Sequence, residues 1–279
     1  MRIDQNISGF APVYMGDLFY EIACSGHSLL FIHAGVADCS MWGDHFSFFS
    51  QFFQVIRYDT RGYGKSCTET TEFSNRQDIL DLFKHLNIGQ AYIIGISRGG
   101  QIAIDFTLEN PDRVLALIPV AAGVSGFEFQ PGDDEKARRE FELFNHMDEL
   151  WERKAFDELA ELEVHVWADV PSQSVRRASP QLRDYIRKLV RANYTRQDGQ
   201  ATAIPLDPPA ANRLAEIHVP TLILVGEYDE TATLAMADKL ESDIPGAIKM
   251  IFPEMAHMLP IEHPNKFTEV VYNFLKKVI

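Results

Sequence analysis

The chain has 279 residues, 46% hydrophobic and 24% charged, enough to bury a large core without staples. Its 26 basic and 40 acidic side chains give a formal charge of −14, which argues against the basic face of a nucleic-acid binder and against docking by attraction to anionic lipid. Cys24, Cys39 and Cys67 cannot all pair and form no CxxC, so neither a disulfide framework nor a cysteine zinc site is expected.

In chain order, residues 13–14 and 18–23 read as a hairpin turned by Met15, Gly16 and Asp17. Residues 29–33 and 53–58 are apolar runs of strand length. Residues 74–86 open with Ser74 and carry Ile79, Leu82, Phe83 and Leu86 at helical spacing, which predicts a capped helix. Residues 91–96 then read as a strand, 101–108 as a helix and 114–121 as a strand. Strands separated by helices imply a mostly parallel sheet covered on both faces. Composition shifts after Gly126. Residues 133–168 are charged and aromatic, with helical periodicity through Phe141, Phe144, Met147, Leu150 and Trp151, and 181–194 read as a further helix. Residues 221–226, 232–240, 248–252 and 265–278 return to strand, helix, strand and helix. The simplest organisation is one α/β domain, 1–124 with 211–279, carrying a helical insertion at 125–210.

No secretory leader is expected, because the N-terminus carries Asp4 and lacks a basic start before an apolar stretch. No run approaches the roughly 20 apolar residues of a membrane helix. A reducing cytoplasm is the expected compartment.

The sharpest chemical signal is Gly95-Ile96-Ser97-Arg98-Gly99-Gly100, between an apolar strand and a helix. A nucleophile elbow needs that context: the turn is so tight that small residues must flank the nucleophile two before and two after. The serine then stands at a helix N-terminus, where free N–H groups and the helix dipole favour negative charge.

At these residues the chain resembles the α/β-hydrolase superfamily over nearly its whole length. The resemblance implies the order serine, acid, histidine. Gly226-Glu227-Tyr228-Asp229 resembles the family's acid turn and Met255-Ala256-His257-Met258-Leu259-Pro260 its histidine loop. The implied triad is therefore Ser97, Asp229 and His257. His263 competes with His257; Glu227, Glu230 and Glu128 compete with Asp229. His33-Ala34-Gly35-Val36 is similar to the family's oxyanion loop, with Ala34 where Gly is usual. The implied oxyanion donors are the N–H groups of Gly35 and Arg98. The Arg98 side chain could meet an anionic substrate, although an outward-facing helical arginine is the plainer reading. Residues 58–66 resemble a family turn signature pinned by Asp59 and Arg61. Their Gly-Lys-Ser is no phosphate loop, since Asp59 stands where a Walker A motif needs Gly.

Val36, Trp42, Phe127 and Phe144 are the expected pocket residues, drawn from a wider aromatic set that includes Phe129, Trp151 and Trp167. The histidines show no metal-ligand spacing and HExxH is absent, so no metal or cofactor is expected. Serine rather than aspartate at the elbow disfavours dehalogenase and epoxide-hydrolase chemistry. The resemblance is to the branch holding 3-oxoadipate enol-lactonases, haloperoxidase-type esterases and carbon–carbon hydrolases. The expected activity is hydrolysis of a small carboxylic ester or lactone. Cleavage of a carbon–carbon bond in a vinylogous keto acid, or ligand sensing without turnover, are the alternatives.

Overall fold

The computed structural model describes residues 6–170, 177–194 and 201–279. Among the described residues the main sheet has nine strands, eight of them on one path: β1 (Ile7–Val13), β2 (Gly16–Ala23), β3 (Ser28–Ile32), β4 (Gln54–Tyr58), β5 (Ala91–Ile96), β6 (Val114–Val120), β7 (Leu222–Gly226) and β8 (Ile248–Phe252). Their spatial order is β1-β2-β4-β3-β5-β6-β7-β8. β2 runs antiparallel to both β1 and β4, and every other pairing on that path is parallel. Cys67–Thr68 extends the sheet beside β2.

Every residue of β3 and β5 is buried, because helices cover both faces. On one face lie α2 (Asn75–His85), α3 (Arg98–Glu109) and α7 (Thr231–Asp243), packing Leu82, Phe83, Ile102, Phe106 and Leu240 onto the strands. On the other lie α1 (Gly43–Phe49) and, after the short α8 (Leu259–Glu262), α9 (Pro264–Val278), contributing Phe46, Phe49, Phe267, Val271 and Leu275. α2 begins as its sequence predicts, with Ser74 Oγ accepting from Gln77 N at 3.3 Å.

The differences from the sequence reading have local causes. β1 starts at Ile7, well before residue 13, because an edge strand that buries little but Ala11 shows no apolar alternation. The hairpin turns at Tyr14–Met15, with Met15 at φ 48°, and Gly16 already belongs to β2. α1 has no counterpart in the sequence pattern, because Gly-Asp-His-Phe-Ser-Phe-Phe is rich in weak helix formers. α3 starts directly after Ser97, through two glycines whose low propensity is overridden by packing.

Between β6 and β7 come α4 (Glu135–Glu152), α5 (Phe156–Ala168) and α6 (Pro180–Tyr194). The single periodic stretch 133–168 is thus two helices, separated at 153–155 with Lys154 at φ 56°. α5 packs on both α4 and α6, and α4 also reaches α7. Val164, Ala168, Ile186 and Leu189 join the apolar cluster on the α1–α9 side. Among the described residues no helix is long and apolar enough to cross a membrane.

Candidate active site

Ser97 sits at the corner between β5 and α3 with φ 55° and ψ −121°, a conformation costly for a residue with a Cβ. The surroundings impose it. Ser97 N donates to Val120 O at 2.8 Å, while Ser97 O accepts from Gln101 N and Gly123 N. The turn is so compact that a Cβ on Gly95 would lie 2.1 Å from Gly99 O, and one on Gly99 would lie 2.5 Å from the carbonyl oxygens of Ile32 and His33. Only glycine fits at both positions, which is the physical content of the GxSxG spacing.

The acid and histidine loops leave the C-terminal ends of β7 and β8 and are stitched together. Tyr228 N donates to Met255 O at 2.8 Å, and a Cβ on Gly226 would meet Met255 O and Ala256 O at 2.3–2.4 Å. Asp229 and His257 are only 1% and 3% exposed. His257 Nδ1 lies 2.9 Å from Asp229 Oδ1. A carboxylate only accepts, so Nδ1 carries the proton and Nε2 presents a lone pair. Nε2 is buried and has no hydrogen-bond partner among the described residues; the Ser97–His257 link is not made in this conformation. Burial pulls the imidazole pKa down, but the charge and hydrogen bond of Asp229, with the charges of Glu230 and Glu262, raise it in sum above 6.5. Of the competing residues, His263 is exposed at the N-cap of α9, Glu128 is exposed, and Glu227 is exposed and accepts from Glu254 N. Glu230 is a close neighbour: its N–H donates to Asp229 Oδ1, and its Oε1 accepts from Thr233 Oγ1.

The expected oxyanion donors belong to adjacent segments. A Cβ on Gly35 would lie 3.4 Å from Arg98 Cβ, so the 33–36 loop lies against the residue after the serine. His33 anchors this loop. Its Nε2 accepts from Thr60 N at 2.9 Å, leaving Nδ1–H to donate to Ala34 O at 2.7 Å. Complete burial lowers its pKa to about 4, so it stays neutral at ordinary pH and acts as a brace. Asp59 accepts from Cys39 N and Lys65 N. Arg61 is enclosed and pairs with Asp78 at 2.7 Å, a partner the sequence did not point to.

The four expected pocket residues separate. Trp42 is removed from a pocket wall: its indole is fully buried, with ring centres 4.8 Å from Phe31 and 6.1 Å from Phe267, as part of the core. Phe127 is half-buried and packs against the α2–α3–α7 side of the core. Val36 is half-buried beside the other cluster. Phe144 packs on Trp167 at 5.8 Å, and Trp167 in turn lies 4.6 Å from the His257 ring. Trp167 of α5 therefore lies directly against the histidine ring. Its sequence signal, one aromatic in an aromatic stripe, did not distinguish it from its neighbours.

A second contact was invisible in the sequence. Glu140 of α4 is buried and accepts from Thr231 N at 2.7 Å, at the first residue of α7, where Glu230 makes no side-chain cap. Lys136, one turn earlier, donates to Asp229 O at 3.4 Å. Two charged side chains of α4 thus hold the turn that carries Asp229.

A family model described as the alpha/beta hydrolase fold matches residues 27–264. Curated relatives include the 3-oxoadipate enol-lactonase 1 of Acinetobacter baylyi, 26% identical over 265 residues that cover 90% of this chain and 89% of that protein. Another is the 2-hydroxy-6-oxononadienedioate/2-hydroxy-6-oxononatrienedioate hydrolase of Burkholderia vietnamiensis, 24% identical over 276 residues and covering 93% and 90%. The solved carboxylesterase CesB of Bacillus subtilis has the same fold, with a TM-score of 0.75 at 20% identity over 97% of this chain and 92% of that one. The family match runs from just before β3 into the start of α9 and takes in the whole parallel part of the sheet, so the chain belongs to the α/β-hydrolase fold family.

Proposed function

We propose that this α/β-hydrolase cleaves a small carboxylic ester or lactone through an acyl-enzyme on Ser97, with His257 as proton carrier and Asp229 as its orienting acid. The observations that support the reading are the buried Asp229–His257 bond of 2.9 Å, whose Nε2 has no hydrogen-bond partner among the described residues, and the strained corner that carries Ser97 at the end of β5. In the proposed cycle, Ser97 Oγ attacks the substrate carbonyl as its proton passes to Nε2, a contact that must form when substrate binds. The N–H groups of Gly35 and Arg98 receive the oxyanion, each contributing roughly 3–4 kcal/mol to the transition state. His257 then protonates the leaving alkoxide. Water, deprotonated by the same nitrogen, hydrolyses the acyl-serine. Asp229 keeps the imidazole in the Nδ1–H tautomer and stabilises its cation. The segment 125–210 acts as a cap, with Trp167 and Phe144 on its inner side.

The relatives named for a lactone and for an ester support this reading; the relatives named for 2-hydroxy-6-oxo acids support carbon–carbon cleavage as the second one. Fluorophosphonate labelling mapped to peptides tests the nucleophile, and label on any residue other than Ser97 refutes the assignment. A panel of p-nitrophenyl esters set against a vinylogous 1,5-diketone separates the two reactions. Much faster turnover of the diketone would replace the first reading with the second.

A further inference from the structure

Five residues after His257, Glu262 turns back onto the loop that carries the histidine. Its side chain is only 1% exposed, and its two oxygens accept from Ala256 N at 3.1 and 3.2 Å, one residue before the imidazole. The charge is matched by Arg177, which lies just before α6. Arg177 also bonds two backbone carbonyls: Nη1 donates to Glu254 O at 2.7 Å and Nη2 to Ala168 O at 2.8 Å. One planar guanidinium therefore ties the end of α5 to the residues on both sides of His257, a task for a fork rather than for a point charge.

The fork is itself anchored. Asp169, fully buried at the C-cap of α5, accepts from the N–H groups of Arg177 and Ala178 at 2.9 Å and pairs with Arg183 of α6. The same end of α5 carries Trp167, whose ring centre lies 4.6 Å from that of His257. His257 Nδ1 is spent on Asp229, and Nε2 has no partner among the described residues. The aim of Nε2 is therefore set by Asp229, by the indole against the ring and by the backbone of residues 254–257. Arg177 and Glu262 bear on the last two of these at once.

We propose that Arg177 and Glu262 are positioning residues for His257: their ion pair clasps the end of α5 to the histidine loop and fixes where Nε2 stands when it takes the Ser97 proton. The inference rests on the Ser97–His257 reading above and deepens it, because the end of α5 then aims the base as well as covering it. Both residues act through the loop and the indole, not on the substrate. A displacement of about 1 Å can cost roughly 100-fold in rate, so a clasp this near the imidazole is enough to decide turnover.

The test reads kcat and KM for p-nitrophenyl butyrate on the alkaline plateau. kcat is expressed per Ser97 site that a fluorophosphonate labels to completion, so that unfolded protein does not count. Arg177→Met should lower kcat by about 10- to 100-fold and leave KM within about 3-fold of wild type. Charge alone predicts the opposite sign, because loss of the guanidinium leaves more negative charge to stabilise the imidazolium. Glu262→Ala should match Arg177→Met, and the double variant should be about as slow as either single one, since all three cut one link. Glu262→Gln still offers an oxygen to Ala256 N and should recover most of kcat. Wild-type kcat per site in Arg177→Met and Glu262→Ala, whatever the loss in melting temperature, overturns the positioning role. Equal losses in Glu262→Gln and Glu262→Ala overturn it too, and these two variants decide if Arg177→Met fails to fold. Either result leaves the ester-hydrolase reading standing. A wild-type protein with neither ester turnover nor label on Ser97 brings that reading down, and the positioning role with it.

Discussion

Behind Ser97 the chain is held by backbone pressed on backbone: Gly95 against Gly99, Gly99 against the carbonyls of Ile32 and His33, Gly226 against the histidine loop. Over His257 the helices α4–α6 are held by side chains. Glu140 and Lys136 grip the acid turn, Trp167 lies on the imidazole, Asp169 pairs with Arg183, and Arg177 reaches Glu262. The difference is one of tolerance. Close-packed backbone has no rotamers with which to relax, so a single added methyl must move a strand or a helix. A polar contact between long side chains can be re-made or lost at a cost of about 1–3 kcal/mol. The rigid half thus fixes Ser97 and the 33–36 loop, and the adjustable half touches His257 and the turn that carries Asp229.

That contrast can be broken most severely at Ser97, the proposed nucleophile. Ser97→Ala should lower kcat by at least roughly 10⁴-fold, as in other serine triads, while leaving the melting temperature within a few degrees of wild type; retained ester turnover would remove Ser97 from the chemistry. Gly99→Ala comes next. Its methyl would meet two backbone oxygens at 2.5 Å, so a loss of about 3 kcal/mol, or roughly 6–12 °C in Tm, is expected together with most activity. Gly89→Ala is the control, because nothing lies within 4 Å of a Cβ there, and its effect should stay within about 0.5 kcal/mol. Equal effects at the two glycines would mean that packing at the elbow is looser than the geometry implies.

The rigid half was also the legible half. Buried parallel strands must be unbroken apolar runs, so β3, β5 and β7 stand out in the sequence, and the steric demand of the elbow leaves its glycines at fixed offsets around Ser97. Asp229 and His257, 28 positions apart, stand in motifs that resemble the family's, and Nδ1 lies 2.9 Å from Oδ1. Where burial depends on a distant partner, the pattern goes silent. Glu140 reads as one more charge on a polar helix, yet it is 3% exposed because the first residue of α7 sits on it. Trp42 reads as a pocket aromatic, yet Phe31 and Phe267, from opposite ends of the chain, enclose it. The β1 edge and α1 carry too little periodicity to announce themselves.

The two smallest effects test whether the adjustable half tunes the chemistry or only shelters it. Glu140→Ala leaves Thr231 N–H without its carboxylate and should cost about 1–3 kcal/mol of stability. If the grip on the acid turn positions Asp229, kcat should also fall by about 10-fold, and Glu140→Gln, which still offers an oxygen to Thr231 N, should recover most of it. Stability lost without any change in kcat would make Glu140 a fastener and nothing more. Glu230→Gln acts through charge. His257 must be neutral to accept the Ser97 proton, so activity is lost as pH falls through its folded-state pKa. Asp229, Glu230 and Glu262 outweigh desolvation and hold that value above 6.5. Removing the charge of Glu230 leaves burial less opposed, so the acid limb of kcat/KM should move to lower pH. The rate on the alkaline plateau should change by only about 2-fold. Folding linkage has the matching sign: with a raised pKa, His257 contributes stability below pH 6.5 that fades as pH rises through the folded value, and Glu230→Gln should shrink that contribution. An acid limb that stays in place would show that Glu230 carries no charge at working pH, its own carboxyl being held above the usual range by burial.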